Sequence, residues 1–251
     1  MYYFVSVNYG TSHIISDWIC SIKNQCNKDK VIIIIDNYKN SEERKKVLQL
    51  SKELNFHLIE SENRGYGNGL NKGIQYIKNN FGNKGIIFAG NLDLEYKNIP
   101  ELPIDNDYVF VPKVMEGTRN RNPFLTRLQH KITPLYKIAG ITQSPYLYYV
   151  VIAINKAVGL FPSKIWAVHG SLFCFSNSLI DNDILFNNES FLYGEELEFA
   201  SYMEFKKAKF FDTDIVVNHD SHICTKDINA STKTFLQFWW PSFKNWGDRW
   251  N

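Results

Sequence analysis

The 251-residue sequence predicts an α/β protein built on an open, mostly parallel β-sheet that is flanked by helices. Two observations support this prediction. Short β-rich runs alternate with amphipathic helical segments through the first half of the chain, and such alternation requires parallel strands joined by right-handed crossovers. One of these runs, residues 31–35, consists only of Val and Ile, which is typical of a strand that is covered on both faces.

The predicted elements follow one another in a simple order. Strands are expected at Tyr2–Asn8 and at residues 31–35, 56–59, 85–89 and 108–112, and helices at residues 12–25, Ser41–Leu54 and 67–80, with Ser41 as the N-cap of the second helix. Residues 115–163 are expected to be loop-rich and basic. Regular secondary structure is expected again over residues 166–175, in a helix that begins near Gly194, and in a strand over residues 210–217.

Composition limits the classes of function. The chain is 44% hydrophobic and 22% charged, as in an ordinary globular protein, and its 28 basic and 26 acidic side chains argue against a nucleic-acid partner. The four cysteines are scattered and no signal peptide is evident, so we expect a reducing, cytoplasmic location. The longest apolar stretch, residues 146–161, is shorter than the ~20 residues that a membrane-spanning helix needs.

Three carboxylates crowd the predicted start of the last helix: Glu195, Glu196 and Glu198. Helical spacing puts Glu196 on the same stripe as Phe199 and Met203, both apolar. Like charges close together raise the pKa of at least one carboxyl group, which suits a general base that works near neutral pH. Taken by itself, the segment is also compatible with a solvated acidic first turn.

Polar residues follow the predicted strands, where ligands bind in open α/β sheets. The first strand ends at Asn8, and Asp36 follows the second. The glycine-rich segment 63–73, with the sequence NRGYGNGLNKG, follows the third. Its glycines either let the backbone approach a phosphate or form a flexible turn without a ligand.

Two further strand ends carry candidate metal ligands. Asp93 lies just after the fourth strand, with Asn91 two residues before it, and a carboxylate there can hold Mg²⁺ or Mn²⁺. His219 follows the last predicted strand, and imidazole is a common ligand of Mn²⁺-like ions. An ordinary turn aspartate and a structural histidine are the alternatives.

These segments, in this order, resemble the glycosyltransferases of family 2, which have the GT-A fold. The matching segments are Val7-Asn8-Tyr9, Asp36-Asn37, residues 63–73, Asn91-Leu92-Asp93, His169-Gly170-Ser171, residues 193–199 and His219. The resemblance spans most of residues 3–222. Each motif is weak by itself, whereas their order and spacing together are specific.

The resemblance implies a Rossmann-like GT-A domain over residues 1–224. Residues 1–112 would form its nucleotide-sugar-binding half, and residues 113–224 its acceptor-binding half, which contains an insertion. Residues 225–251, which are rich in Trp and Phe, would form a C-terminal extension.

The resemblance also implies roles for individual residues. Asp36 would contact the base or ribose of a nucleotide sugar, and the other residues of the donor pocket would be Asn8, Tyr9, Asn63, Gly65, Asn71, Asn91 and Asp93. Asp93 falls at the second acidic position of the family's metal motif, and His219 would be the second protein ligand of Mg²⁺ or Mn²⁺. Glu196 falls on the general base, but relatives more often have Asp there, so Glu195 remains an alternative.

The resulting hypothesis is an inverting, metal-dependent glycosyltransferase of bacterial surface-polysaccharide synthesis, of the rhamnosyltransferase or galactosyltransferase type. It would use a UDP- or dTDP-linked sugar and a lipid-pyrophosphate-linked oligosaccharide acceptor. Basic residues 119–137, the apolar stretch 146–161 and the Trp-rich tail favour peripheral contact with the inner face of the cell membrane. A solvated basic loop, with the tail packed on the domain or on a second subunit, is the alternative to that contact. A nucleotidyltransferase and a non-catalytic nucleotide- or carbohydrate-binding module are the rival functions.

Overall fold

A nine-stranded sheet forms the centre of the computed structural model, which describes residues 1–104, 106–181, 185–187 and 191–220. The strands are β1 Tyr2–Asn8, β2 Lys30–Asp36, β3 His57–Glu60, β4 Ile86–Gly90, β5 Leu94–Asn98, β6 Tyr108–Glu116, β7 Arg119–Asn120, β10 Leu172–Ser176 and β11 Lys209–His219. A separate pair consists of β8 Leu125–Thr126 and β9 Ile165–Ala167. The helices are α1 Ile15–Gln25, α2 Ser41–Leu54, α3 Tyr66–Phe81, α4 Arg127–His130, α5 Thr133–Thr142, α6 Pro145–Val158 and α7 Glu195–Phe205.

The predicted α/β class and the mostly parallel sheet are confirmed. The strand order is β3-β2-β1-β4-β10-β6-β11-β5, with β7 attached to β6. The first four strands are parallel, and β6 and β11 run in the same direction as they do, because β10 is antiparallel to both β4 and β6. Strands from both halves of the chain therefore share one sheet.

The predicted elements of the first half are present, with ends that differ by a few residues. Two details were wrong. The N-cap of α2 is Asn40, whose side chain accepts a hydrogen bond from the backbone N–H of Glu43, because Asn40 has extended backbone angles while Ser41 is already helical. The first turn of the helix predicted at residues 12–25 is a 3₁₀-helix, Ser12–Ile14.

The two faces of the sheet bury separate cores. Alternate residues of β1 point to opposite sides, so Phe4 packs in the cluster that contains Trp18 of α1, and Val5 packs in the one that contains Ile74 of α3 and Phe199 of α7. This two-sided burial explains why β2 contains an unbroken run of Val and Ile.

The prediction that residues 115–163 are loop-rich was wrong, because most of this section is helical. Ser144 caps α6 by accepting a hydrogen bond from the N–H of Leu147, and a proline follows in the first turn. Helices α5 and α6 pack through Tyr136 and Val151 into a third apolar cluster, which also contains Leu197 of α7. The hairpin of α5 and α6 is thereby joined to the helix that carries the glutamates.

Glycines in α3 let the helix lie close to the sheet. A Cβ atom at Gly73 would overlap Val5 Cγ1 and lie 2.8 Å from Ile35 Cδ1, and one at Gly69 would lie 2.6 Å from Val7 Cγ2. The two glycines are four residues apart and therefore lie on the same face of the helix. Part of the glycine-rich segment is thus explained by helix packing alone.

This close approach leads to a stability prediction. At an open helical position, replacing Gly by Ala would stabilise the helix by about 1 kcal/mol. At Gly73 we expect Gly73→Ala to destabilise the protein instead, by about 1–3 kcal/mol, because the methyl group overpacks the space in front of β1. Urea unfolding measures the effect, with Gln75→Ala on the exposed face of α3 as the control. An unchanged midpoint for Gly73→Ala would contradict the packing argument.

Two other sequence expectations concern the whole chain. Cys20, Cys26 and Cys174 are free thiols, and Cys224 lies outside the described residues, as does the aromatic extension 225–251. Among the helices that the structure describes, none has the length and the apolar character needed to cross a membrane.

Candidate active site

Asn8 and Asp36 meet at the carboxyl ends of β1 and β2, where their strands are paired in register. Asn8 Nδ2 donates a 2.8 Å hydrogen bond to Asp36 Oδ1, and its Oδ1 accepts hydrogen bonds from the backbone N–H and the hydroxyl of Thr11. Asp36 is buried and its Oδ2 has no hydrogen-bond partner in the described part of the chain. Burial raises the pKa of Asp36, and the hydrogen bond from Asn8 opposes the shift. The pair presents a buried oxygen that can accept a hydrogen bond from a ligand.

Three more predicted residues lie near this pair: Tyr9, Asn63 and Gly65. Asn63 Oδ1 accepts hydrogen bonds from Asn37 Nδ2, at 3.4 Å, and from the backbone N–H of Gly65, at 3.3 Å. Tyr9 is half exposed at the end of β1. The structure therefore brings Asn8, Tyr9, Asn63 and Gly65 to the same sheet edge as Asp36.

The glycine-rich segment has a second role in this fold, which is to dock the chain that leads into α7. Gly65 has φ +100°, and a Cβ atom there would lie 2.5 Å from the carbonyl oxygen of Phe191. That oxygen accepts a hydrogen bond from the N–H of Tyr66. The side-chain amide of Asn71 donates to the carbonyl of Phe186 and accepts from its N–H. Asn71 is thus engaged with backbone, and the sequence carried no sign of these contacts.

Asp93 and His219 come together at the other end of the site. Asp93 Oδ1 is buried without a hydrogen-bond partner in the described residues and lies 3.4 Å from His219 Nε2. Asn91 Nδ2 is also 3.4 Å from Nε2, and Glu116 Oε1 is 3.2 Å from Nδ1 on the opposite side of the ring. Burial lowers the pKa of His219, but the contacts with Asp93 and Glu116 outweigh it, so the net shift is upward.

These residues fit a divalent cation. No cluster of three or more His, Cys, Asp or Glu with metal-binding geometry occurs in the described part of the chain. A carboxylate and an imidazole are nevertheless suitable ligands for Mn²⁺, and a buried carboxylate oxygen without a partner is the kind of atom that a cation satisfies. Asp93 and His219 would supply two ligands, which leaves room for oxygens from a bound diphosphate.

His169 lies between the Asp93–His219 pair and the helix α7. Its ring centre is 5.8 Å from that of His219, and its Nδ1 is 2.9 Å from the hydroxyl of Ser171. Burial, and then the charge of His219, lower the pKa of His169 to about 4, so this ring is neutral at physiological pH. The segment was matched to the family by sequence, but its contact with His219 was not predicted.

Glu196 projects from the first turn of α7 toward the segment 169–171. A Cβ atom at Gly170 would overlap Glu196 Oε1 and lie 2.7 Å from its Cδ, so a side chain at position 170 would displace this carboxylate. Burial raises the pKa of Glu196, and backbone N–H groups, including that of Gly170, oppose the shift. Glu196 thus lies against Gly170, the residue that follows His169 in the chain, and the ring of His169 contacts that of His219.

Glu195 has different surroundings. It is 7% exposed, and its Oε1 is buried without a hydrogen-bond partner among the residues described. Burial, and then repulsion from Glu196, raise its pKa to about 8. At neutral pH the folded protein therefore keeps a proton on Glu195.

This proton makes stability depend on pH in a predictable direction. Between the ordinary pKa of 4.5 and about 8, the unfolded chain releases the proton of Glu195 and the folded chain retains it, so rising pH destabilises the fold. The stabilisation of the fold by the retained proton is complete below pH 4.5 and is lost by about pH 8. We expect Glu195→Gln, which mimics the protonated acid, to raise Tm at pH 8.5 and to leave it unchanged at pH 4.5. The exposed Glu53→Gln is the control, and an equal effect of Glu195→Gln at both pH values would contradict the assignment.

Comparisons with known proteins concern the first part of the sequence and the fold. Residues 4–93 match the model of the family Glycosyl transferase family 2. Similar solved structures include S. aureus TarS, with 12% identity over 87% of this chain and 36% of that chain and a TM-score of 0.53. They also include residues 1–349 of TarS in complex with UDP, with 12% identity over 87% of this chain and 60% of that one, also at a TM-score of 0.53.

A mannosyltransferase from Pyrobaculum calidifontis, PcManGT, solved in complex with GDP-Man and Mn²⁺, is 13% identical over 87% of this chain and 56% of that chain, with a TM-score of 0.53. The chain thus spans between about a third and three fifths of the lengths of these proteins. No curated protein sequence matches it.

The sequence match and the fold lead to the same assignment. Residues 4–93 match glycosyltransferase family 2, and the chain has the GT-A fold of the similar solved structures. The comparisons do not extend to a particular subtype.

Proposed function

We propose that this chain transfers a sugar from a nucleotide diphosphate sugar to an acceptor hydroxyl, with inversion at the anomeric carbon. One observation carries the proposal. Glu196 lies against Gly170, and the neighbouring His169 contacts His219, which is beside the unpartnered oxygen of Asp93. A carboxylate that could accept a proton and two side chains that could bind a cation therefore lie at the same edge of the sheet.

The donor would bind across the ends of β1, β2 and β4. Asp36 Oδ2 would accept a hydrogen bond from the base or the ribose, and Asn8, Tyr9, Asn63 and Gly65 would surround that part of the ligand. Asn71 would act indirectly, through its hold on Phe186. The complexes of the similar structures with UDP and with GDP-Man support a nucleotide-sugar donor. We propose a UDP- or dTDP-linked sugar.

Asp93 and His219 would hold Mg²⁺ or Mn²⁺, with Asn91 beside them, and the Mn²⁺ in the PcManGT complex supports this assignment. When bound, such a cation neutralises negative charge on the diphosphate leaving group. Glu196 would accept the proton of the acceptor hydroxyl while that oxygen attacks from the face opposite the diphosphate. Glu195, which retains its own proton, is a poorer base at neutral pH.

The segment between Glu116 and Asp181, in the half of the chain proposed to bind the acceptor, has features that suit contact with a membrane surface. Between Glu116 and Asp181 the sequence contains no acidic residue, and the basic residues in this interval are Arg119, Arg121, Arg127, Lys131, Lys137, Lys156 and Lys164. Apolar side chains at both ends of α6 are exposed: Tyr146 at 80% in its first turn, and Leu160 at 84% and Phe161 at 63% just after its last turn. Basic and exposed apolar residues on one segment suit contact with anionic lipid headgroups.

We therefore propose a peripheral enzyme on the cytoplasmic face of a bacterial membrane, with a lipid-pyrophosphate-linked oligosaccharide of surface-polysaccharide synthesis as acceptor. Flotation with anionic and zwitterionic vesicles tests the contact. We expect binding to anionic vesicles that weakens in high salt, and loss of binding in Leu160→Ser/Phe161→Ser. Leu48→Ser, at an exposed site on α2, is the control. Equal flotation of the double variant would exclude this surface.

The donor is tested by a thermal-shift screen of nucleotide sugars with Mn²⁺. A ligand present at 100 times its Kd stabilises the fold by about 2.7 kcal/mol, so the correct donor raises Tm measurably. Adding candidate acceptors and measuring free nucleoside diphosphate then tests the reaction. A nucleotidyltransferase would release pyrophosphate or transfer the nucleotide, and a non-catalytic module would release nothing.

A further inference from the structure

Glu116, at the end of β6, is a charged residue of the site to which the proposed function gives no role. Its Oε1 lies 3.2 Å from Nδ1 of His219, and its Oε2 lies 2.8 Å from Nε of Arg121. The side chain of His219 is only 7% exposed and that of Glu116 is 22% exposed. The contact therefore lies in a largely enclosed part of the site.

The contact with Glu116 determines which ring nitrogen of His219 carries a proton. A carboxylate can only accept hydrogen bonds, so the ring nitrogen that faces it, Nδ1 of His219, must carry a proton. In a neutral imidazole the other nitrogen, Nε2, then keeps its lone pair. That nitrogen is the one that faces Asp93 Oδ1 and the donor group Asn91 Nδ2.

The backbone holds this arrangement in place. Strands β6 and β11 are paired with Met115 opposite Asn218, so Glu116 and His219 are the next residues on adjacent strands. The chain then turns at Gly117, and Glu116 pairs with Arg119 of β7. The backbone N–H of Arg121 donates to the carbonyl of Val114 at 2.8 Å. The backbones of Glu116, His219 and Arg121 are therefore each held by strand pairing or by a backbone hydrogen bond to β6.

We propose that Glu116 is a positioning residue that holds His219 in the Nδ1–H tautomer, with Nε2 directed at the cation beside Asp93, and that Arg121 holds Glu116. This inference rests on the proposed function, since it needs a cation at Asp93 and His219. Glu116 is not itself a ligand in this assignment, because its two oxygens are engaged by the ring and by Arg121. Carboxylate partners of metal-binding histidines orient the ring and strengthen it as a ligand.

Mn²⁺ affinity of the full chain, measured by electron paramagnetic resonance without any nucleotide sugar, tests the role. We expect Glu116→Ala to weaken Mn²⁺ binding about 10–100-fold, the usual effect of removing such a partner. Glu116→Gln should lose less, because its amide oxygen can still accept from Nδ1. Asp214→Ala, which removes an exposed carboxylate of β11, is the control and should bind Mn²⁺ like the unaltered chain.

A double-mutant cycle with His219→Gln separates action through the ring from direct ligation. If Glu116 acts through His219, Glu116→Ala has no further effect on Mn²⁺ affinity in the His219→Gln background. If the full loss persists there, Glu116 binds the cation directly and the proposal is overturned. Unchanged affinity in Glu116→Ala alone overturns it as well, while leaving the metal site of the proposed function intact.

Long-range ¹H–¹⁵N spectra report the tautomer itself and need no metal. At pH 8.5 we expect the His219 signals, assigned by their loss in His219→Gln, to show a protonated Nδ1. In Glu116→Ala they should shift toward the Nε2–H form. An Nε2–H ring in the unaltered chain would refute the positioning role. Absence of Mn²⁺ binding by the unaltered chain would instead remove the metal dependence of the proposed function, and this inference with it.

Discussion

Replacing Glu196 by Gln is expected to reduce turnover by about 10²–10⁴-fold, the usual contribution of a positioned general base. The substitution keeps the size and shape of the side chain against Gly170 but removes its ability to accept a proton. Donor binding should remain unchanged, because Glu196 is on α7, while the donor is proposed to bind at the ends of β1, β2 and β4. Turnover is measured by nucleoside diphosphate release, and donor affinity by calorimetry.

The adjacent Glu195→Gln is the matched control for this experiment. Glu195 already carries a proton at neutral pH, so an amide there changes the charge little, and we expect turnover within a few-fold of normal. If Glu195→Gln abolished turnover and Glu196→Gln did not, Glu195 would be the base. If neither had an effect, α7 would not supply the base at all.

Turnover should also decline on the acid side of neutrality. Burial raises the pKa of Glu196, so its active, ionised form is lost at a higher pH than that of an ordinary glutamate. The acid limb of the pH profile of kcat should accordingly lie above pH 4.5. This limb should be absent from the residual activity of Glu196→Gln.

The sheet could be predicted because its signals are local. Strands β1, β2 and β4 are buried on both faces, so their apolar runs are visible in any short window of sequence. The helices α4 to α6 were missed because their section is basic, interrupted by prolines and glycine, and stabilised by distant partners. Tyr136 and Val151, for example, pack in a cluster with Leu197, more than forty residues further along the chain.

The site could be predicted in part, for a related reason. Asp36, Asp93 and His219 lie at strand ends, and the parallel topology brings strand ends together. Contacts that depend on the register of distant segments could not be foreseen. Glu116 faces His219 because β6 and β11 are paired, and no periodicity in the sequence records that pairing.

The glycine-rich segment shows how one motif can carry two constraints. Gly69 and Gly73 are needed for the packing of α3 on the sheet, and Gly65 for the approach of Phe191. Phe191 lies in the chain that leads to the glutamates. The proposed donor side and the proposed base are therefore linked through backbone contacts.

Replacing Asp93 by Ala is expected to abolish the metal dependence of donor binding. In calorimetric titrations, the affinity of the variant for the donor in the presence of Mn²⁺ should fall to that of the unaltered chain without Mn²⁺. The reason is that Asp93 Oδ1 is a buried oxygen without a hydrogen-bond partner in the described structure, so its removal takes away the proposed cation ligand. The contact that is lost with it is the 3.4 Å approach to Nε2 of His219. The fold should therefore tolerate the change, and Tm without metal should be close to normal.

Two comparisons make the Asp93 result specific. Glu95→Ala removes a carboxylate two residues away, on the exposed face of β5, and should leave Mn²⁺-dependent binding intact. His219→Gln removes the proposed second ligand and should act in the same direction as Asp93→Ala. Since the two residues would hold one cation, the double variant should be no worse than Asp93→Ala alone, and a further loss would mean that they bind the donor independently. Persistent Mn²⁺ enhancement in Asp93→Ala would show that the cation binds elsewhere, which would separate the metal from the edge of the sheet where Glu196 lies.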